Sequence, residues 1–552
     1  MLHSGAKMSQ SDSRFTRRYF LETTAVAAAA SMLPLGGAGA AAPYVRHNAT
    51  SPEGQRALQS YAKAVNIMLG LPASDPHNWF RNAFVHFMDC PHGNWWFYVW
   101  HRGYLGYFEQ TIRMLSGDSS FAIPYWDWTQ LPRIPDAMFN GVLTPDDAAY
   151  EPYTGNLDKF TKFIKPTLQS YWNGLSADQR TQLNARGYTQ FDQMWFDVQG
   201  AVPNIDPKKI YAIAGNIAFA STCNARYLTR DNPALDAATV YDVSATVVDG
   251  GLKADKFYAD DATRSFNSSK TLSHNTQPNG STVFSTLEGL PHNKTHNYIG
   301  GYGPLNYGPY GNMTNNLSPV DPVFFLHHSN MDRLWDVWTR RQQALGRDWR
   351  PDAADAATYY KEPFLFFVGP DRQAISGKAA DYFDKSVFNY VYTPGHGEAL
   401  IPQNKIAAAS SVAGVKGTVQ GGGGLASIAS NALAGDNVLV AAVTVARPTG
   451  NDGGREFDVL INAPENATDT GPGSPYYAGT IAFFGHMAGM DMPMDATFAV
   501  PLPKTPQIAN LLKAGPPGAV RAVPGNTTIS IRVVPSNGGK TPELKALSLG
   551  VR

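Results

Sequence analysis

Histidine carries the chemistry in this chain. Of 13 histidines, six fall into two groups of three: His86, His92 and His101, then His292, His296 and His328. Each group has the spacing to wrap one metal ion. His292 and His296 are four apart, so on a helix they share one face and can share an ion. His92 and His101 fit a loop ligand followed by a helix ligand, and His86 sits on the preceding helix. Neither triad includes a carboxylate. Neutral imidazoles without carboxylates suit copper better than magnesium, calcium or a di-iron centre. Paired triads imply two adjacent copper ions with an open face for dioxygen.

His47, His77, His274 and His396 read as hydrogen-bonded core or surface residues, with His77 as the fallback should His86 not reach the metal. His327 adjoins His328. Consecutive helical residues point about 100° apart, so only one of the two is expected to face the centre.

Positioning these side chains calls for helices. Residues 52–69 carry Leu58, Tyr61, Ala62, Val65 and Leu69 on one stripe. A second helix opens at Asp75-Pro76, with Asp75 as N-cap, and carries His86. Residues 96–115 carry His101, residues 290–298 carry His292 and His296, and residues 323–343 carry His328. Residues 121–129 (FAIPYWDWT) and 300–319 read as loops, the latter edging the substrate entrance. Four ligand-bearing helices match metal sites built inside helix bundles. The expected fold is a mainly α domain, a four-helix bundle holding the metal pair, followed by a smaller C-terminal β-domain. Residues 437–447, 455–462, 478–484 and 528–534 have the strand pattern. The Ala-, Ser- and Gly-rich stretch before them reads as a linker. The expected division is an export signal over 1–42, a catalytic domain over 43–405, a linker over 406–431 and the β-domain over 432–552.

Length and charge bound the rest. The 552 residues balance 45 basic against 45 acidic side chains, so nothing points to nucleic acid or an anionic membrane as a partner. Two cysteines, Cys90 and Cys223, exclude a disulfide scaffold. Thr16-Arg17-Arg18-Tyr19-Phe20-Leu21, followed by an Ala-rich run, reads as a twin-arginine export signal with a cleavage site near Ala38-Gly39-Ala40. The predicted destination is periplasmic or extracellular, without stable membrane insertion. The run His486-Met487-Ala488-Gly489-Met490-Asp491-Met492-Pro493-Met494 reads first as a gap-filling methionine loop. Copper relay, with a copper-delivery partner, is the alternative, because thioethers are soft ligands.

These motifs resemble those of the tyrosinase, catechol oxidase and haemocyanin family of type 3 copper proteins. Residues 92–109 (HGNWWFYVWHRGYLGYFE) resemble the first copper motif, with Tyr98 in place of the usual aliphatic residue or Phe. Residues 321–332 (DPVFFLHHSNMD) match the second motif, in which the second histidine is the ligand; that assigns His328. Residues 288–296 (EGLPHNKTH) are similar to the plant polyphenol oxidase helix. Residues 75–86 (DPHNWFRNAFVH) look like the plant first-ligand helix, although the loop on to His92 is shorter than usual. Tyr390-Val391-Tyr392 resembles the tyrosine motif closing the catalytic domain, and Glu456-Phe457-Asp458-Val459 a strand of the plant C-terminal domain.

The resemblance implies a secreted copper monooxygenase and oxidase of the tyrosinase type. It would ortho-hydroxylate monophenols and oxidise o-diphenols to o-quinones, using two copper ions and dioxygen. A catechol or o-aminophenol oxidase, and a haemocyanin-like oxygen carrier, are the alternatives. It also implies a thioether between Cys90 and His92, and a water held by Glu288 and Asn293 that removes the phenol proton. Such a base is needed because a free phenol has a pKa of about 10. Arg102, Asn330 and Asp332 are expected to orient the imidazoles.

Overall fold

The computed structural model describes residues 42–199, 225–276, 281–301, 311–403, 412–420, 422–433, 435–446, 454–484, 495–503 and 525–552, with a few single positions between them. The twin-arginine pattern, Cys223 and the methionine run lie outside the described residues. Tyr44–Arg552 packs as one unit. Among the described residues no helix is long and apolar enough to cross a membrane.

Five helices build the core around the histidines. Helix α1 (Pro52–Gly70) starts where the Ser51 side chain accepts the Gly54 N–H, with Pro52 in its first turn, and it buries Leu58, Tyr61, Val65, Met68 and Leu69. Helix α2 (Trp79–Asp89) begins later than its sequence suggests. Asp75 makes a turn, accepting the His77 N–H, and Asn78 is the cap, accepting the Phe80 and Arg81 N–H groups. Helix α3 (Phe97–Ser116) ends at Gly117, whose φ of 76° only glycine adopts without cost. Helix α4 (Asn293–Gly300) is entered through a π-helical turn over Glu288–His292 that contains Pro291. Helix α5 (Val323–Ala344) is buried along its first four turns. Aromatic rings join these helices: Phe108 of α3 stacks on Phe325 of α5 with centroids 3.6 Å apart, and Tyr61 of α1 meets both rings edge-on.

Strand β1 (Tyr44–Arg46) opens the described chain. Strand β2 (Thr282–Phe284) leads into the π turn, β3 (Pro363–Phe364) and β4 (Gly377–Lys378) make a short pair, and β5 (Tyr390–Tyr392) runs parallel to β1. The C-terminal part contributes β6 (Val412–Lys416), β7 (Thr418–Gln420), β8 (Gly423–Ala429), β9 (Leu439–Ala446), β10 (Glu456–Ile461), β11 (Tyr477–Ala482), β12 (Asp495–Pro501), β13 (Asn526–Pro535) and β14 (Glu543–Val551). Two five-stranded sheets result, ordered β11-β10-β13-β8-β7 and β2-β12-β9-β14-β6. The α-then-β fold class therefore holds.

Two details of the expected organisation do not. From residue 412 the stretch read as a linker forms three strands, and Gln420 pairs with Gly423 across its glycine run. Small residues there serve a reversal between antiparallel strands rather than a flexible tether. The second sheet also takes β2 from the helical half, pairing Thr282, Val283 and Phe284 in parallel with Ala496, Thr497 and Phe498. The helical half thus contributes a strand to the C-terminal sheets.

One buried ionic network ties β1 to two helices. Arg46 donates to both carboxylate oxygens of Glu109 on α3, to Asp332 on α5 and to the Tyr392 hydroxyl. Arg102 donates to the other Asp332 oxygen at 2.7 Å, and the Tyr390 and Tyr392 hydroxyls donate to Asp332 as well. Burial alone would raise the Asp332 carboxyl, but Arg102 and Arg46 outweigh it and hold it below its ordinary range. Asp332→Ala leaves two buried guanidinium groups short of a partner, and should cost about 3–5 kcal/mol in denaturant unfolding. Since the folded carboxyl is depressed, its contribution is complete above about pH 4 and disappears as acid protonates it. The wild-type advantage over Asp332→Ala should shrink accordingly on acidification.

Candidate metal centre

The structure brings the six predicted histidines together. His86 on α2, His92 on the following loop and His101 on α3 place one ring nitrogen each within 4.8 Å of the others. His292, His296, His327 and His328 form a second such group. The groups face each other: His101 stacks on His328 with centroids 4.2 Å apart and planes 5° apart, and His92 lies 5.7 Å from His292.

Three of the rings are oriented from behind by backbone carbonyls. Nδ1 of His86 bonds the Asn316 carbonyl at 2.6 Å, Nδ1 of His101 the Phe97 carbonyl at 2.7 Å and Nδ1 of His296 the Met313 carbonyl at 2.7 Å. A carbonyl only accepts, so these Nδ1 atoms carry the proton and Nε2 presents its lone pair. Nε2 of His86, His92, His101 and His292 is buried and has no hydrogen-bond partner. Nε2 of His296 and His328 converge at 3.2 Å. Burial pushes every one of these imidazoles down, His86 and His292 to about 3, and the neighbouring imidazoles push the other four in the same direction. All six are neutral donors near pH 7. Orphaned, buried, neutral nitrogens aimed at one another are what a pair of soft-to-borderline cations would satisfy, and imidazole without carboxylate suits copper.

His77 does not take part; its Nε2 bonds the Gly369 carbonyl at 2.8 Å. His274 is a buried core residue between Asp89 and Glu362, and His396 bonds Asp249, as their isolated positions suggested. His327 departs from expectation. Its donor atoms lie in the second group although its ring is 88° from that of His328. The centre is enclosed, so neighbouring side chains reach it from two sides. His327 packs on Trp128 and beside His292 and His296, whereas His328 faces the first triad.

Glu288 is buried beside this group. Oε1 accepts the Gly93 N–H at 2.6 Å and Oε2 accepts the Ser268 hydroxyl. Gly93 has φ 66°, and a Cβ there would lie 2.7 Å from the Thr282 side chain, so only glycine lets this loop close on β2. Burial raises the Glu288 carboxyl to about 8, against the two hydrogen bonds. Asn293 does not bond Glu288 directly: Oδ1 faces His292 Nδ1 at 2.9 Å and Nδ2 donates to the Ala482 carbonyl at 2.8 Å. Cys90 Sγ lies 3.4 Å from His92 Nδ1, and burial raises the thiol to about 12. Arg102 donates to Asp332, while Asn330 accepts from Arg333.

Phe484, just past β11, escaped sequence reasoning altogether. Its ring centroid lies 4.4 Å from His296, 4.9 Å from His92 and 5.5 Å from His292, so the C-terminal part covers both triads. No local pattern marks it; only the fold brings it there.

Residues 60–341, just over half of the chain, match the family model described as the common central domain of tyrosinase, and the chain belongs to the tyrosinase family. Among its relatives, a chloroplastic polyphenol oxidase of Malus domestica is 26% identical over 353 residues, covering 60% of this chain and 45% of that protein. Tyrosinase HcTyr1 of Hahella sp. (strain CCB-MM4) is 22% identical over 370 residues, covering 61% and 60%. The matched region thus spans about half the length of such relatives. A solved latent aurone synthase (polyphenol oxidase) shares the fold, with a TM-score of 0.54, 16% identity, and coverage of 94% of this chain and 91% of that one.

Copper titration of the metal-free protein should find two bound equivalents. His86→Ala should remove one of them, and His77→Ala should remove neither.

Proposed function

We propose that the chain is a type 3 copper phenol oxidase that hydroxylates monophenols ortho to the hydroxyl and oxidises o-diphenols to o-quinones. The observation that carries this reading is the facing pair of neutral histidine triads, in which Nε2 of His86, His92, His101 and His292 has no hydrogen-bond partner. His86, His92 and His101 would hold one copper ion, and His292, His296 and His328 the other. Bound copper supplies dioxygen binding and the two-electron oxidation of the phenol.

The chain's own groups prepare the substrate. Glu288 accepts the phenol proton; its raised carboxyl narrows the gap to a phenol at about 10. Ser268 and Gly93 hold that carboxylate in place. Asn293 orients His292 through Oδ1. The approach of Cys90 to His92 supports the thioether, which would show as a peptide mass lower by two hydrogens. Phe484 occupies the aromatic space over His92, His292 and His296 that a phenol ring would need, so the protein as folded restricts access. The leader sequence and export by the twin-arginine route belong to the same proposal.

Oxygen uptake by the copper-loaded protein, with a monophenol and separately with a diphenol, tests the function. Consumption with both supports it, consumption with the diphenol alone supports a catechol oxidase, and reversible binding without consumption supports a carrier. Phe484→Ala should raise turnover and leave copper content unchanged. Glu288→Gln should lower monophenol turnover by about 100-fold or more. A base works only when deprotonated, so wild-type turnover should rise with pH. The midpoint should lie at or below about 8, because a bound cation draws the carboxyl down. The variant should lack that limb.

A further inference from the structure

Given the dicopper reading above, we infer that the C-terminal sheets scaffold the second triad, with Lys294 and Glu456 as positioning residues. Helix α4 is held on every side. His292 and His296 look into the centre. Asn293 and Asn297, also four apart, present amides to the end of β11, donating to the Ala482 carbonyl at 2.8 Å and the Phe483 carbonyl at 3.0 Å. Lys294 is two residues from each ligand, on the side turned away from both. Its ammonium is buried and paired with the buried Glu456 carboxylate of β10. Removing Glu456 takes away the strongest of the carboxylates acting on Lys294, leaving only the weaker pull of Asp236 and Asp242 on a buried ammonium, which is more disruptive than losing a surface pair.

The segment entering α4 is held by the same sheets. Strand β2 pairs with β12, and Phe284 stacks on Phe498 at 5.1 Å. The Thr286 hydroxyl donates to the Ala499 carbonyl at 2.8 Å. Arg552, next to the end of β14, donates to the Thr286 hydroxyl and to the carbonyls of Gly250, Ala262 and Thr263. Removing the C-terminal strands would leave β2 an unpaired apolar edge and strip α4 of its outer contacts. Carbonyls of the helical half orient rings of both triads, Asn316 and Phe97 for His86 and His101 and Met313 for His296; what the second triad has in addition is a helix whose outer side is gripped by β10 and β11.

The test compares full-length wild type with Glu456→Gln. Hydrogen exchange of the metal-free proteins should show residues 293–300 exchanging faster in the variant by about tenfold or more, with residues 97–116 unchanged. The second copper equivalent should bind about 10–100-fold more weakly while the first is retained, the usual scale for losing a residue that supports a ligand. Asn297→Leu, a milder change, provides the same readings should Glu456→Gln fail to fold. Unchanged protection of 293–300 together with unchanged copper affinity overturns the inference. If the exchange responds as expected but wild type binds no copper, the scaffold stands and the dicopper reading falls.

Discussion

A single carboxylate, Asp332, sets the relation between the helices that present the facing histidines. It takes Arg46 from β1, Arg102 from α3 and two tyrosine hydroxyls from β5, all in the interior. Arg102 directly follows His101, and Asp332 comes one turn after His328. Fixing the one ion pair therefore fixes the rotation of α3 against α5, and His101 comes to rest flat on His328. Buried ions of this kind add little net stability over an apolar core. They do forbid alternatives, because any slipped arrangement strands a charge away from water. A cluster of six histidines converging from four helices, a loop and a π turn depends on such exclusion.

The second constraint is the supply of acceptors behind the rings. The 311–320 stretch gives one carbonyl to each triad, Asn316 to His86 and Met313 to His296. That loop is more than an edge to the site, since it determines the tautomer on both sides. The π turn at Glu288–His292 makes a related contribution. It shifts the helical phase by a residue just before His292, and places the Glu288 carboxylate where Gly93 and Ser268 can hold it.

The C-terminal sheets both support and shield. Two of the carbonyls that grip α4 belong to the last residue of β11 and the one after it, and Phe484, which covers the histidines, is the next residue along. Support and cover are thus one short stretch of chain. Cover over the histidines and grip on α4 are coupled by covalent proximity, and the side chain of Phe484 is the part of that stretch whose displacement leaves the backbone contacts in place.

Much of this was legible in the residues themselves. Periodicity located the ligand-bearing helices, because burial of one face imposes it, and the spacing of His292 and His296 follows from helical geometry alone. The strands at β9, β10, β11 and β13 alternate or run apolar enough to be seen. Strand β2 and the strands at 412–429 were not, since β2 has only three residues and the others are short and rich in small residues, and such segments pair only because a partner edge exists. The same limit applied at the site. Sequence decided which side chains are available, six histidines, Glu288 and Cys90, and their order on local elements. Tertiary structure decided that His86 rather than His77 joins the centre, that His327 also reaches it, that Asn293 bonds His292 and not Glu288, and that Phe484 covers it all. Convergence of residues hundreds of positions apart depends on packing between elements, and no local pattern encodes a distance across the core.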